Sequence, residues 1–317
     1  MIIVTGGAGF IGSQLLLGLN RLGQTNILVV DDLTDGHKFK NLAHALIADY
    51  MDCATFLEYL HSNKTFATSI KAVFHQGACT KTTEWDGRFM MSNNYGYSKT
   101  LLNYCLNKHI PFIYASSAAV YGTSTTFKEL DHKCEHPLNV YGYSKLLFDR
   151  YVSTLLPKAK SQIVGLRYFN VYGPNEHFKG SMASVVWHLM NQLQESNVVK
   201  LFSEYDGYKS GEQKRDFIFV KDVVNVNTWC LDNPMHSGIY NCGTGKARTF
   251  NDIAHILLKL RGNGKLEYIP FPHHLKGHYQ SYTEADITQL RQAGYSNLFT
   301  SLEKGIEAYY NYFLTRK

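Results

Sequence analysis

The chain of 317 residues is 44% hydrophobic and 18% charged, with 25 Gly and only 7 Pro. That balance supports a sizeable core and excludes a disordered, collagen-like or proline-rich chain. The net charge of +6 is mild and spread out, so it suits an anionic small ligand as well as a polyanion. Residues 2–4 form a short continuous apolar run, as expected of a parallel strand buried on both faces. A glycine turn follows over 5–12. Leu15, Leu16 and Leu19 then recur at helical spacing over 13–22, and Gly23 stops that helix. Residues 27–30 read as a second buried strand, ending at Asp31 and Asp32. Later strands are expected at 72–75, 112–115 and 163–168, with helical patterns between them such as 97–106. Strands alternating with helices predict an α/β fold, a Rossmann-type doubly wound parallel sheet.

From about residue 173 the alternation breaks down. Residues 203–213 are polar and loop-like. Short strands at 217–220, 239–241 and 266–269 mix with helices at 250–260 and 302–313. The expected organisation is a dinucleotide-binding Rossmann domain over 1–172 and a smaller mixed α/β substrate domain over 173–317. A segment near 215–245 is expected to return to the first domain. No internal repeat or low-complexity linker is visible.

Six cysteines, Cys53, Cys79, Cys105, Cys134, Cys230 and Cys242, include no Cys-x-x-Cys pair, so no zinc knuckle or thioredoxin-like motif is present. A chain with a full core does not need disulfides, and reduced thiols of a cytoplasmic protein are expected. Met1-Ile2-Ile3-Val4 begins a strand without a basic segment before it, so no signal peptide is expected. No apolar run approaches the ~20 residues that cross a bilayer, so no membrane partner is expected.

Within Thr5-Gly6-Gly7-Ala8-Gly9-Phe10-Ile11-Gly12, two glycine patterns overlap: Gly7, Gly9 and Gly12 fit G-x-G-x-x-G, while Gly6, Gly9 and Gly12 fit G-x-x-G-x-x-G. Missing side chains permit a tight turn and close approach of a pyrophosphate to the N–H groups opening a helix. The pattern alone is weak. Its context, a strand before, a helix after and Asp31 nineteen residues beyond Gly12, strengthens it. A carboxylate at Asp31 favours the ribose 2′-OH of NAD. Lys38 and Lys40 nearby could instead neutralise the 2′-phosphate of NADP, and the residues alone leave the two open.

Tyr141 and Lys145 lie four apart and share one face of a helix. A nearby ammonium favours the phenolate, so Lys145 is expected to lower the pKa of Tyr141 and make it a usable base. Ser116 and Ser117 end the strand expected at 112–115, at the edge where such sheets hold ligands. A serine there can hydrogen-bond a reacting oxygen.

The order and spacing of these motifs resemble the extended short-chain dehydrogenase/reductases that act on nucleotide sugars. Further stretches make the resemblance specific: Thr83-Glu84-Trp85-Asp86-Gly87, Arg167-Tyr168-Phe169-Asn170-Val171-Tyr172-Gly173-Pro174, Lys179-Gly180-Ser181-Met182-Ala183-Ser184 and Lys214-Arg215-Asp216-Phe217. Over nearly its whole length the chain is similar to the ADP-glycero-manno-heptose 6-epimerase family. The resemblance implies interconversion of the D-glycero and L-glycero forms at C6″ of an ADP-heptose, in the biosynthesis of the lipopolysaccharide inner core. It implies transient oxidation by tightly bound NADP, with NAD possible, and a homo-oligomer, a pentamer. Carried onto this sequence, the catalytic set is Tyr141, Lys179, Ser117 and Lys145. Gly6, Gly9, Phe10, Ile11, Gly12, Asp31, Asp32, Lys38, Gln76, Gly77, Ala78, Cys79, Thr80, Asn93, Lys145, Val171 and Lys179 would line the cofactor. Asn170, Ser181, His188, Phe202, Arg215 and Tyr279 would line the substrate, with Arg215 clamping the diphosphate. The chain departs from the family pattern at Cys53, commonly Lys, at Gln76, commonly Glu, and in its longer loop over 203–213.

Other classes fit less well. His273, His274 and His278 have no carboxylate or cysteine close by, and no metal is expected. The aromatics do not interleave with basic runs, which argues against nucleic acid. A non-catalytic dinucleotide sensor need not retain Ser117, Tyr141 and Lys145. A dehydratase would carry acid and base groups next to Ser117, where Ala118 and Ala119 stand.

Overall fold

Apolar runs too short to cover themselves are buried by stacking edge to edge. The computed structural model describes residues 1–62, 64, 66–234, 236–277 and 279–315. The strands formed there are β1 (Ile2–Thr5), β2 (Ile27–Asp31), β3 (Asp49–Asp52), β4 (Ala72–His75), β5 (Phe112–Ser117), β6 (Ile163–Tyr168), β7 (Asn170–Tyr172), β8 (Val198–Phe202), β9 (Lys214–Phe219), β10 (Gly238–Cys242), β11 (Ala247–Thr249) and β12 (Lys265–Ile269). Seven of them make one parallel sheet in the order β10-β6-β5-β4-β1-β2-β3. The order reverses direction between β1 and β4, and ligands of open α/β sheets bind at the carboxyl ends on either side of such a reversal.

Every residue of β1, β2 and β4 is buried, as a sheet covered on both faces requires. β3 escaped the sequence reading because it is a polar edge strand whose Asp49 and Asp52 are exposed. The first helix starts at Phe10, three residues before the expected position, because the glycine turn runs straight into its first turn. The strand expected at 217–220 occupies Lys214–Phe219, and Val220 already opens a helix.

The second half of the chain contributes β10 and the helix Val220–Asp232 to the first sheet and its cover. That helix packs on Phe10–Arg21 with almost no spacing: a Cβ on Gly18 would lie 2.3 Å from Val224 Cγ1. Two smaller sheets, β11-β9-β7 and β12-β8, stand beyond the carboxyl edge. They share a second core with helices Val185–Ser196, Phe250–Arg261 and Leu302–Thr315, through Val186, Leu193, Leu201, Leu257 and Ile306 among others. No described helix is long and apolar enough to cross a membrane.

A buried ion network fastens β6 to the helix Val140–Leu155. Arg167 is fully buried and donates to Asp149 at 2.8 Å and to Glu135 at 2.6 Å. Tyr114 and Ser116, from β5, donate to the same Asp149 at 2.8 Å each. Removing one partner of such a network leaves a buried charge uncompensated. Arg167→Ala is expected to cost about 3–5 kcal/mol of unfolding free energy in urea titrations. Arg248→Ala, which removes a half-exposed cation from its pairs with Asp252 and Glu303, should cost no more than about 1 kcal/mol.

Candidate active site

Two cavities meet above the carboxyl edge of the main sheet. The first, about 700 Å³, lies over β1, β2 and β4. Its floor is the glycine turn. Gly6 has φ +68°, a left-handed conformation that a side chain would strain. A Cβ on Gly12 would lie 2.0 Å from the Gly6 carbonyl oxygen, so only glycine lets the helix start this close to the strand. Gly9 caps that helix without a side chain. The cradle therefore fits a pyrophosphate on helix N–H groups. Of the residues assigned to a cofactor, Gly6, Gly9, Phe10, Ile11, Gly12, Asp31, Asp32, Lys38, Gln76, Gly77, Ala78, Cys79, Thr80, Asn93 and Lys179 line this cavity.

Asp31 is buried, and both its oxygens are engaged. Oδ2 accepts from Ala8 N at 2.8 Å, and Oδ1 accepts from Asp32 N at 2.8 Å and from Lys38 Nζ at 2.5 Å. Lys38 also donates to the Asp32 carbonyl at 2.6 Å. Cys53 lines the same cavity, where burial and then the charges of Asp31 and Asp52 push its thiol up to about 12. It is therefore an unreactive thiol.

The second cavity, about 690 Å³, lies between the ends of β5 and β6 and the smaller sheets. Ser117, Tyr141, Lys145, Asn170, Val171, Lys179, Ser181, His188, Phe202, Arg215 and Tyr279 all line it. The sequence-predicted residues, scattered from position 6 to 279, thus fall around two adjoining spaces. Lys179, Phe10, Ile11, Gln76, Ala78 and Thr80 border both.

Tyr141 and Lys145 sit in the first turns of Val140–Leu155. Asn139 caps that helix, its Oδ1 accepting from Gly142 N at 2.9 Å. Ser117 hydrogen-bonds the Tyr141 hydroxyl and accepts from Ala119 N at 3.1 Å. Ser116 instead points into the Asp149 network. The expectation that Lys145 lowers the Tyr141 pKa is corrected here. Burial raises that pKa, opposed by the Ser117 hydrogen bond and not by Lys145. The Lys145 ammonium is spent on the Ala115 carbonyl, at 2.8 Å.

Burial lowers Lys145 to about 8, with Asp149 opposing. Lys179 is also lowered by burial, opposed by Glu176. Arg215 is buried; its NH1 donates to the Lys214 carbonyl at 3.0 Å, and its guanidinium also hydrogen-bonds Tyr279. Its guanidinium stacks 4.8 Å from the Tyr279 ring centre and 5.6 Å from that of Phe250. The two carboxylates weighed as salt-bridge partners are taken elsewhere. Asp216 accepts from Thr244, Gly245 and Ala285, and Asp222 from Thr300. A desolvated cation with no carboxylate against it suits an anionic ligand.

Comparison with known proteins agrees with this geometry. The family model described as NAD dependent epimerase/dehydratase matches residues 2–243. The chain belongs to the NAD dependent epimerase/dehydratase family. A curated relative, the ADP-L-glycero-D-manno-heptose-6-epimerase of Alkalilimnicola ehrlichii, is 57% identical over 309 residues, 98% of this chain and 96% of the relative. The solved Helicobacter pylori ADP-L-glycero-D-manno-heptose-6-epimerase superposes with a TM-score of 0.83 at 34% identity, covering 99% of this chain and 96% of that one. The UDP-glucose 4-epimerase of Thermotoga maritima, solved with UDP-glucose, gives 0.81 at 27% identity, covering 99% and 98%.

In this epimerase/dehydratase chain several polar supports went unread in the sequence. His75, held neutral because burial drops its pKa to about 3, bonds Thr5 Oγ1 at 2.6 Å and Ser98 Oγ at 2.7 Å. Ser98 reaches the Asn94 carbonyl, Asn94 bonds Ser144 Oγ at 3.2 Å, and Ser144 donates to the Tyr141 carbonyl at 2.7 Å. Asn94 sits in a π-helical turn, Met91–Gly96, and also accepts from Cys79 N at 2.9 Å. Local π turns often mark functional positions, but no residue pattern announces one. Among the described residues, no three His, Cys, Asp or Glu side chains are placed to share a metal ion. His278, of the histidine group considered above, lies outside the described residues.

The low value at Lys145 makes a prediction about stability. The unfolded chain holds that proton up to its ordinary pKa near 10.5, and the folded chain only to about 8. Between those values the unfolded state binds more protons, so this group makes stability rise with pH. Measured by urea unfolding, wild type should gain on Lys145→Met by about 3 kcal/mol from pH 8 to pH 10.5. A difference independent of pH would contradict the burial argument.

Proposed function

We propose that this protein interconverts ADP-D-glycero-β-D-manno-heptose and ADP-L-glycero-β-D-manno-heptose at C6″. The carrying observation is that Tyr141 and Lys179 face one cavity, that Lys179 also borders the glycine-turn cavity, and that a buried Arg215, with no carboxylate paired to it among the described residues, lies beyond them. The pattern suits a long anionic substrate whose reacting end must reach a dinucleotide.

A nicotinamide dinucleotide bound on the glycine turn supplies the hydride acceptor and, on return, the hydride donor at the sugar carbon. The chain's own groups manage the protons. Burial raises the Tyr141 phenol and lowers the Lys179 ammonium, so the one holds its proton and the other gives its proton up more readily, and the two can serve as acid and base in turn. One takes the proton of the C6″ hydroxyl as a ketone forms. After the ketone turns, the other returns a proton to the oxygen at the opposite face. Ser117 bonds the reacting oxygen alongside Tyr141, and Lys145 holds the ribose. Arg215 clamps the diphosphate, Tyr279 and Phe202 flank the nucleotide, and Asn170, Ser181 and His188 contact the sugar.

We read the dinucleotide as NADP, tightly bound. Lys38 neutralises Asp31 at the rim where a 2′-phosphate would sit, and the Asp31 oxygens are already used, which weakens the ribose 2′-OH contact that favours NAD. Cys53 supplies no charge to that phosphate. The reading carries with it a cytoplasmic homo-oligomer, a pentamer, that feeds the lipopolysaccharide inner core.

The direct test is a proton NMR time course with ADP-D-glycero-β-D-manno-heptose and purified enzyme, no cofactor added. L-glycero signals should appear without net oxidation. No conversion even with NADP⁺ or NAD⁺ supplied would sink the heptose reading. For the cofactor, Lys38→Ala should weaken NADP⁺ about tenfold and NAD⁺ little, the size of one charge-assisted hydrogen bond. Equal loss for both, by fluorescence titration, would place the 2′-phosphate elsewhere.

A further inference from the structure

The segment from Gly173 to Ser184 is almost free of regular structure, yet it must hold Lys179 at the junction of two cavities. It consists of a turn and a short 3₁₀ stretch, His177–Met182, interrupted at Gly180, whose φ is 54°. Asn175 ties its start to neighbouring elements, donating to Ser13 Oγ at 3.0 Å and accepting from the Tyr312 hydroxyl at 3.0 Å. Its two ends are joined to each other by a carboxylate beneath it.

Glu176 is fully buried. Its Oε1 accepts from Gly173 N at 3.2 Å and from Ser184 Oγ at 2.8 Å, while Oε2 accepts from Ser184 N. The Tyr309 hydroxyl, on the helix Leu302–Thr315, stands beside the same carboxylate. One side chain thus grips the first and last residues of the segment and ties both to the second core. The Glu176 carbonyl also accepts from Lys179 N at 2.9 Å, and Ser184 caps the next helix. Burying a carboxyl here is costly unless its lone pairs are used, and they are.

We propose that Glu176 is a positioning residue for the reaction: its buried carboxylate closes the 173–184 segment into a clamp that presents Lys179 to both cavities. The proposal rests on the reading of Lys179 as a proton-transfer group. Its negative charge has a second consequence, because it is the charge that opposes the lowering of Lys179 by burial. Other charged or titratable groups line the same cavity: His188, Tyr141, Lys145 and Arg215, while His177 packs on Phe178 within the segment. Burial pushes the Glu176 carboxyl up, opposed by its hydrogen bonds from Ser184, Gly173 and Tyr309.

The test compares Glu176→Gln, Ser184→Ala and Lys179→Ala in the full-length enzyme, each checked for thermal unfolding. Glu176→Gln keeps the shape but loses the anion and sets an amide N–H against Ser184 N. Its kcat for epimerisation should fall at least tenfold, with KM changed less than twofold. The pH limb that Lys179→Ala removes should move to lower pH in Glu176→Gln, because an ammonium without its carboxylate loses its proton more easily. Ser184→Ala loosens the clamp but leaves the carboxyl in place, so its kcat should fall severalfold with that limb moved less than in Glu176→Gln. Should Glu176→Gln fail to fold, Ser184→Ala alone decides, and a wild-type kcat there overturns the proposal. A folded Glu176→Gln with wild-type kcat and an unmoved limb also overturns it. The underlying reading fails separately, if Lys179→Ala epimerises at the wild-type rate.

Discussion

The carboxyl edge of the main sheet depends on two stretches of backbone meeting with no side chain between them. Gly6 follows β1 and Gly77 lies just beyond β4, and a Cβ on Gly6 would lie 2.5 Å from Gly77 N. One step along, the Gly12 backbone comes as close to the Gly6 carbonyl. These contacts lie where the strand order reverses, so they set the width of the crevice that the fold offers to a ligand. A side chain at Gly6 would part β1 from β4 and one at Gly12 would tilt the first helix away, while a Cβ at Gly77 would press on Gly6 N at 3.1 Å. Asp31 then locks the turn from the next strand by accepting from Ala8 N. The anion site is shaped by absences, and the side chains around it serve to hold those absences open.

How far this could be read from residues alone follows from which forces act locally. β1, β2, β4, β5 and β6 were visible because a strand buried on both faces needs a continuous apolar run, which few other elements produce. β3, β7 and β11 were not, since a polar edge strand or a three-residue strand leaves no such run. Tyr141 and Lys145 could be placed together because four residues is one helical turn. Lys179 and Arg215 carried no local mark. A lysine in a loop after a proline reads as solvated charge, and only the family resemblance pointed to it. The effect of Lys145 on Tyr141 was misjudged for a related reason. Spacing put the two on one face, but the Ala115 carbonyl that claims the ammonium belongs to a strand thirty residues away. Glu176 and Asn94 escaped altogether, because their meaning lies in what they touch across the fold.

The polar interior has one recurring design. Tyr141 and Lys145, which face a cavity, are each backed by hydrogen-bonded partners from another element. Tyr141 leans on Ser117, at the end of β5, while its backbone is tied through Ser144, Asn94 and Ser98 to His75 on β4. Lys145 is held by the same strand that supplies Ser117, and its helix is anchored one turn later by Asp149. Geometry at the cavity is thereby over-determined, so a side chain can be kept desolvated without drifting toward water.

Two arginines make the argument about charge concrete. Arg167 and Arg215 are both buried, and both lie against aromatic rings. Arg167 is answered by Asp149 and Glu135, and those anions raise its affinity for its proton well beyond the ordinary arginine range. Arg215 has aromatic faces, one carbonyl and a hydrogen bond with Tyr279, and burial lowers its affinity instead. The neighbouring Asp216 would cancel that cost, yet it is turned away and saturated by four other donors. The fold keeps a carboxylate one residue from this cation and still separates the two, so the guanidinium faces the cavity with aromatic rings rather than an anion around it. An anionic group entering from the cavity would find in-plane donors there. Arg167 holds the scaffold together because its charge is complete. Arg215 lines the cavity with aromatic rings where Arg167 has carboxylates.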